Sequence, residues 1–77
     1  MDSVELGKIT KYHRKKAGLS QKALADLADV GKTVIFDMEK GKETIKWLTL
    51  IKVLHVLNIK IELQSPYMDN YLKNEKS

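Results

Sequence analysis

The sequence predicts an all-α domain of four to five short helices with one short C-terminal β-strand that pairs across a dimer. Three observations lead there. From Leu6 to Leu57 apolar residues recur at spacings of three and four, the period of a helix with one buried face. Gly18, Asp29, Gly41 and Asn58, residue types that accept a left-handed backbone and so end helices, punctuate that stretch. At Ile59 the apolar period drops to two, the period of a strand.

Each element follows from its local signals. Leu6, Ile9, His13 and Ala17 define one face of a first helix over about residues 4–17, closed by Gly18. Ser20 is a good N-cap for a second helix over 21–28, and Asp29-Val30-Gly31 breaks it. A third helix over 32–40 ends at Gly41, and residues 42–46 form a connecting loop. A fourth runs over about 47–57, with Leu50, Leu54 and Leu57 on one face beside Ile51 and Val53, and Asn58 stops it. Ile59, Ile61 and Leu63 then alternate with Lys60, Glu62 and Gln64 until Ser65-Pro66. The division is a domain over 1–66 followed by a polar, flexible tail over 67–77.

At 77 residues the chain buries about 60% of its unfolded surface and is hard to stabilise alone. It has no cysteine, so no disulfide or thiolate-held metal strengthens it, and His13 and His55 are too few for a metal site. No cofactor is expected. Stability should come from helix packing together with a partner subunit. The formal charge is +4, unevenly spread: Lys8, Lys11, Arg14, Lys15, Lys16 and Lys22 fall between Gly7 and Ala25 with no acid among them. Such a segment suits a polyanion or an anionic surface, or is simply a solvated helix face. The acidic start, Met1 to Glu5, is unlike a secretion signal. Lys52, His55 and Lys60 interrupt the most apolar stretch, so no membrane span is predicted and a soluble, cytoplasmic protein is expected.

The segment from Ser20 to Gly41 carries the most specific pattern. Ala25 is small where two helices would cross, and Leu24, Ala28, Val30, Ile35 and Met38 supply apolar residues for the facing sides. Asp29 occupies the tight turn, which needs positive φ. Gly31, Lys32, Thr33, Phe36 and Asp37 are left pointing outward from the start of the third helix, the arrangement of a helix that enters the DNA major groove.

The run RKKAGLSQKALADLADVGKTVIFDMEKGK, through Arg14, Gly18-Leu19-Ser20-Gln21, Leu24-Ala25, Ile35, Met38-Glu39 and Gly41, resembles the helix-turn-helix of the phage-repressor (Cro/C1, XRE) superfamily. The likeness spans about residues 6–57. It departs from the pattern at Asp29, where glycine is usual, and at Thr10 and His13, where aliphatic core residues are usual. The resemblance implies double-stranded DNA as partner, an inverted-repeat operator and regulation of transcription. It implies that Gln21 bonds a phosphate and braces the third helix, and that Arg14, Lys42 and Lys46 hold phosphates. Gly31, Lys32 and Thr33 would face base edges, Phe36 a thymine methyl and Asp37 a cytosine; for Phe36 a packing role stands beside this one. Further along, GKETIKWLTLIKVLHVLNIKIEL resembles the C-terminal part of HipB-type antitoxins, which implies autorepression of an operon and a HipA-type kinase toxin as partner.

A lone strand leaves both backbone edges unpaired, and the same strand of a second copy is the simplest remedy. Centred on Ile61, an antiparallel pair sets Lys60 against Glu62 and Ile59 against Leu63, whereas centring on Lys60 or Glu62 opposes like charges. A homodimer through Ile59, Lys60, Ile61, Glu62 and Leu63 is therefore expected, the alternative being a strand folded onto its own helices or an extended tail.

Rival classes fare worse. Gly31-Lys32-Thr33 matches the end of a phosphate-binding loop, but Asp26 occupies the place of its first glycine and no strand precedes it. Asp37 and Glu39 are two apart and point from different helix faces, Ser20 has a capping role and no base, and His13 lies on an apolar face. Glu39 fits a capping or pairing role within the domain, and Trp47 a packing role at the head of the fourth helix or a phosphate contact from its indole. No enzyme is expected. The remaining alternatives are a stand-alone phage-type repressor and a basic protein-interaction module without specific DNA readout.

Overall fold

The computed structural model describes residues 1–76, with side chains through residue 75. It holds five helices: α1 (Ser3–Lys16), α2 (Gln21–Ala28), α3 (Lys32–Glu39), α4 (Trp47–Val56) and α5 (Met68–Lys76). α2 lies at the centre, packed on α3 and on α4, while α1 packs on α3. Leu24, Ala25, Ala28, Ile35, Met38, Val53 and Leu54 form the core, with Leu6, Leu19, Val30, Ile45, Leu50 and Ile59 packed around it. The apolar residues expected to face one another across α2 and α3 do so.

The first four helices end in the same way. In each, a left-handed residue directs its own N–H and the next one back onto the last turn: Gly18 and Leu19 bond Lys15 and Arg14, and Asp29 and Val30 bond Asp26 and Ala25. Gly41 and Lys42 bond Met38 and Asp37, and Asn58 and Ile59 bond His55 and Leu54. This paired motif satisfies carbonyls that a helix end leaves open. Asp29 at φ 56° and Asn58 at φ 57° are the residue types that tolerate that backbone after glycine. The starts are capped too: Asp2 Oδ1 accepts from the Glu5 N–H at 2.8 Å, and Ser20 Oγ from the Ala23 N–H at 3.0 Å.

α1 differs from expectation in which face it buries. The inward residues are Gly7, Thr10 and Arg14, Leu6, Ile9 and His13 are half-buried, and Ala17 is exposed. The polar members of this face are satisfied locally, Thr10 Oγ1 donating to the Leu6 carbonyl at 2.8 Å and His13 Nδ1 lying 2.7 Å from that of Ile9. Gly7 explains the rotation. A Cβ there would sit 2.5 Å from the Met38 carbonyl oxygen and 2.9 Å from that of Glu39, so α1 approaches the end of α3 backbone to backbone.

For the C-terminal part the expectation of a loose tail is corrected, and the strand expected to pair across a dimer has no counterpart within one chain. The described residues contain no strand: Ile59 to Leu63 lie outside helix and ladder, because a single extended segment has no second backbone to bond within its own chain. The tail is not loose from residue 67. It forms α5, begun at Ser65-Pro66, where Ser65 Oγ accepts from the Tyr67 N–H at 3.3 Å and the Ser65 carbonyl from the Met68 N–H at 3.2 Å. Met68, Tyr71 and Leu72, three and four apart, give this polar segment one apolar face. Ser77 lies outside the described residues.

Gly7→Ala should destabilise the domain by about 1–3 kcal/mol, the usual cost of overpacking, despite alanine's better helix propensity. Urea unfolding followed by circular dichroism measures this, and an unchanged midpoint would contradict the backbone contact.

Candidate nucleic-acid interface

A helix can present its first turn to a partner only if its last turn is held. In α3 the holding residue is Glu39, whose side chain is only 4% exposed. Arg14 of α1 approaches it side-on, with Nε to Oε2 at 2.6 Å and Nη2 to Oε1 at 2.9 Å, a two-pronged geometry natural to guanidinium and carboxylate. Arg14 Nη1 donates to the Leu19 carbonyl at 2.9 Å, beyond the end of α1. Gln21, first residue of α2, adds Nε2 to Oε1 at 3.2 Å. One carboxylate thus ties α1, α2 and α3 together. Burial opposes the charge on Glu39, but hydrogen bonds from Arg14 and Gln21 and the nearby positive charges of Arg14 and Lys11 outweigh it, so the carboxyl sits below its ordinary value. The Arg14 guanidinium is held above its own by the Glu39 hydrogen bond, against the effect of burial.

The expectation that Arg14 holds a phosphate is corrected by this geometry. The residue is 7% exposed and its donors point inward. The one signal that marks its place is positional: Gly7, Thr10 and Arg14 share one stripe of α1, and an arginine on an inward stripe implies a buried acid. Gln21 performs the bracing expected of it and remains half-buried at the edge of the exposed face.

The outward residues of α3 come together as read from the sequence. Gly31, Lys32, Thr33 and Phe36 are exposed and Asp37 half-buried. Gln21, Lys32, Thr33 and Phe36 line one open concavity of about 400 Å³. Gly31 serves as the N-cap of α3 without a side-chain bond, and a Cβ there would meet nothing within 4 Å, so the amide end of the helix is uncovered. Phe36 is 43% exposed and its ring carries the Lys40 ammonium 4.5 Å from its centroid. Lys40 was not singled out from the sequence, although its i+4 spacing from Phe36 puts both on one face. Lys42 Nζ lies 3.6 Å from Asp37 Oδ2, and Lys42 and Lys46 border the same shallow hollow as Asp37. A cation therefore stands beside the acid of this face. Away from it, Ile59 is half-buried against the core, while Lys60, Ile61, Glu62 and Leu63 are exposed.

These features define a helix-turn-helix protein: α2 packed on a braced α3 whose first turns and flanking lysines are open. The chain belongs to the helix-turn-helix family of the phage-repressor (XRE) type, the family's pattern matching residues 11–64. It is 34% identical over 62 residues to the uncharacterized HTH-type transcriptional regulator y4mF of Sinorhizobium fredii (strain NBRC 101917 / NGR234), over 80% of this chain and 82% of that one. Among solved structures it is similar to the restriction-modification controller protein C.AhdI from Aeromonas hydrophila, with a TM-score of 0.69 and 26% identity over 75% of this chain and 88% of that one. It also shares its fold with HipB of the HipB-O4 20mer complex, with a TM-score of 0.76 and 21% identity over 86% and 93% of the two chains.

Arg14→Met should lower the unfolding free energy by about 3–5 kcal/mol, because it strands a buried carboxylate, while Arg14→Met with Glu39→Leu should recover most of the loss. Denaturant titration of the two variants measures both. Because the folded state depresses the Glu39 pKa, its contribution is complete above the unfolded carboxyl value near about 4.3 and fades as pH falls through the folded value. Glu39→Gln should flatten that acid limb of the stability profile, and an unaltered limb would assign it to other carboxyls.

Proposed function

We propose that the protein is a sequence-specific, double-stranded DNA-binding regulator of transcription that acts as a homodimer on an inverted-repeat operator. The observation that carries this reading is the single concavity shared by Gln21, Lys32, Thr33 and Phe36 on a helix locked from behind by the Arg14–Glu39 pair. Lys32 and Thr33 reach base edges, Phe36 meets a thymine methyl, and Asp37 accepts from a cytosine amino group once Lys42 turns to the backbone. Gln21, with a second amide hydrogen beyond the one given to Glu39, and Lys42 and Lys46 fix the register through phosphates. The controller role of C.AhdI and the regulator role of y4mF support the same assignment.

The dimer forms by antiparallel pairing of Ile59 to Leu63 about Ile61, which sets two reading helices against half-sites about one helical turn apart. Exposure of Ile61 and Leu63, at 47% and 75%, supports this, since a second copy would cover them. Within this function the finer role is antitoxin and autorepressor of a HipA-type kinase operon, supported by the likeness of residues 41–63 to HipB-type antitoxins and by the fold shared with HipB in the O4 complex. Co-purification with the product of an adjacent HipA-like reading frame tests that role, and without such a frame the protein is a stand-alone repressor.

Lys32→Ala with Thr33→Ala should reduce affinity for the operator roughly thirtyfold or more, in line with about 1–3 kcal/mol for each good base contact, and leave binding to random DNA nearly unchanged. Mobility-shift titration on both DNAs decides it, and equal losses on the two would remove the reading role. Lys42→Ala or Lys46→Ala should instead weaken both and lower the salt slope by about one for each phosphate no longer neutralised.

A further inference from the structure

α5 is not among the closely packed helix pairs of its own chain. The packed pairs are α1 with α3, α2 with α3 and α2 with α4. Nine residues are too few for a helix to persist in water by propensity alone, which requires roughly 12–15. Yet α5 and the residue before it display Tyr67, Tyr71 and Leu72, exposed by 75%, 58% and 47%, beside the half-buried Met68. At the opposite end of the same segment, α4 leaves Trp47 and Leu48 exposed by 67% and 64%, and a hollow of about 430 Å³ runs between Trp47, Ile51 and His55 of α4 and Ile61 and Leu63. One chain thus carries an apolar helix face and an apolar hollow, both uncovered.

We infer that the C-terminal arm is exchanged: α5 of each protomer packs into the hollow on α4 of a second copy. The inference rests on the proposed pairing about Ile61, whose register supplies the placement. In an antiparallel pair centred there, residues equally spaced from Ile61 in opposite directions face one another. The pair ends with Leu63 opposite the partner's Ile59, which directly follows the Asn58 stop of α4, so Ser65-Pro66 and the start of α5 fall near the C-terminal end of the partner's α4. From that point α5 extends roughly 14 Å and α4 roughly 15 Å, at 1.5 Å per residue, so the arm spans the partner helix back to Trp47. Charge agrees with the placement. No acid lies between Glu43 and Glu62, where Lys46, Lys52 and Lys60 stand, whereas Asp69 sits in the first turn of α5, near where Lys52 of the second copy would be. Need agrees as well. A two-stranded ribbon with five residues in each strand is marginal in water, and two exchanged helices cover the apolar side chains it leaves open.

Trp47 is the chain's one tryptophan, and with no native cysteine any introduced thiol is the sole one, so the arm can be followed in the full-length protein. Sedimentation and Trp47 emission should be measured against concentration for the parent, Leu72→Lys and Ile61→Lys. In the parent, emission should shift to the blue as dimers form. Leu72→Lys, a change at an exposed position of the single chain, should weaken dimerisation by roughly tenfold or more and abolish the blue shift. Mixed single-cysteine variants Leu72→Cys and Ile51→Cys should cross-link as heterodimers under mild oxidation. If Ile61→Lys is monomeric while Leu72→Lys dimerises like the parent with its blue shift intact, the exchanged arm is wrong and the strand dimer stands. If Ile61→Lys still dimerises like the parent, the strand register is wrong and the arm placement falls with it.

Discussion

The buried pair between Arg14 and Glu39 is the constraint on which the rest of the molecule depends. A charge taken out of water is costly unless it is matched, and here both carboxylate oxygens are matched by a guanidinium fixed in turn to the Leu19 carbonyl. The effect reaches beyond stability. Glu39 is the last residue of α3 and Gln21 the first of α2, so the bond between them helps fix the angle between α2 and the helix that carries the open face. The close approach of α1 at Gly7 brings Arg14 within reach, and no larger residue permits it. Sequence, packing and presentation of the face are joined at one carboxylate.

The opposite face of α3 is governed by a different rule. Its polar and aromatic residues contribute almost nothing to the core, and they lean on one another instead: Lys40 over Phe36, Lys42 beside Asp37. These are exposed pairings, individually weak and easily exchanged for pairings with a polyanion. The lysine nearest Asp37 keeps the one acid of the face from repelling an approaching phosphate.

How much of this was legible in the sequence depends on whether the signal was local. Helix ends were, because a left-handed residue is required at a definite place: Gly18, Asp29, Gly41 and Asn58 all stand where the chain turns. The outward set Lys32, Thr33 and Phe36 was legible because its neighbours Ile35 and Met38 are unmistakably core. Arg14 was misread as a phosphate ligand, since its mate lies 25 residues away and a basic run masks an inward position. The buried stripe of α1 was missed for a related reason, glycine and threonine being poor advertisements of a core face. α5 escaped because its apolar residues are few and its segment polar, and the alternation from Ile59 to Leu63, read as a strand, has no ladder within one chain.

The open N-cap at Gly31 has an evolutionary corollary. Because Lys32 and Thr33 lie outside the core, and because space surrounds a Cβ at Gly31, these positions can drift one at a time at little cost in stability. A lineage can therefore change the chemistry of this face by point substitutions on a rigid chassis, whereas any change at Glu39 or Gly7 must first survive the test of remaining folded.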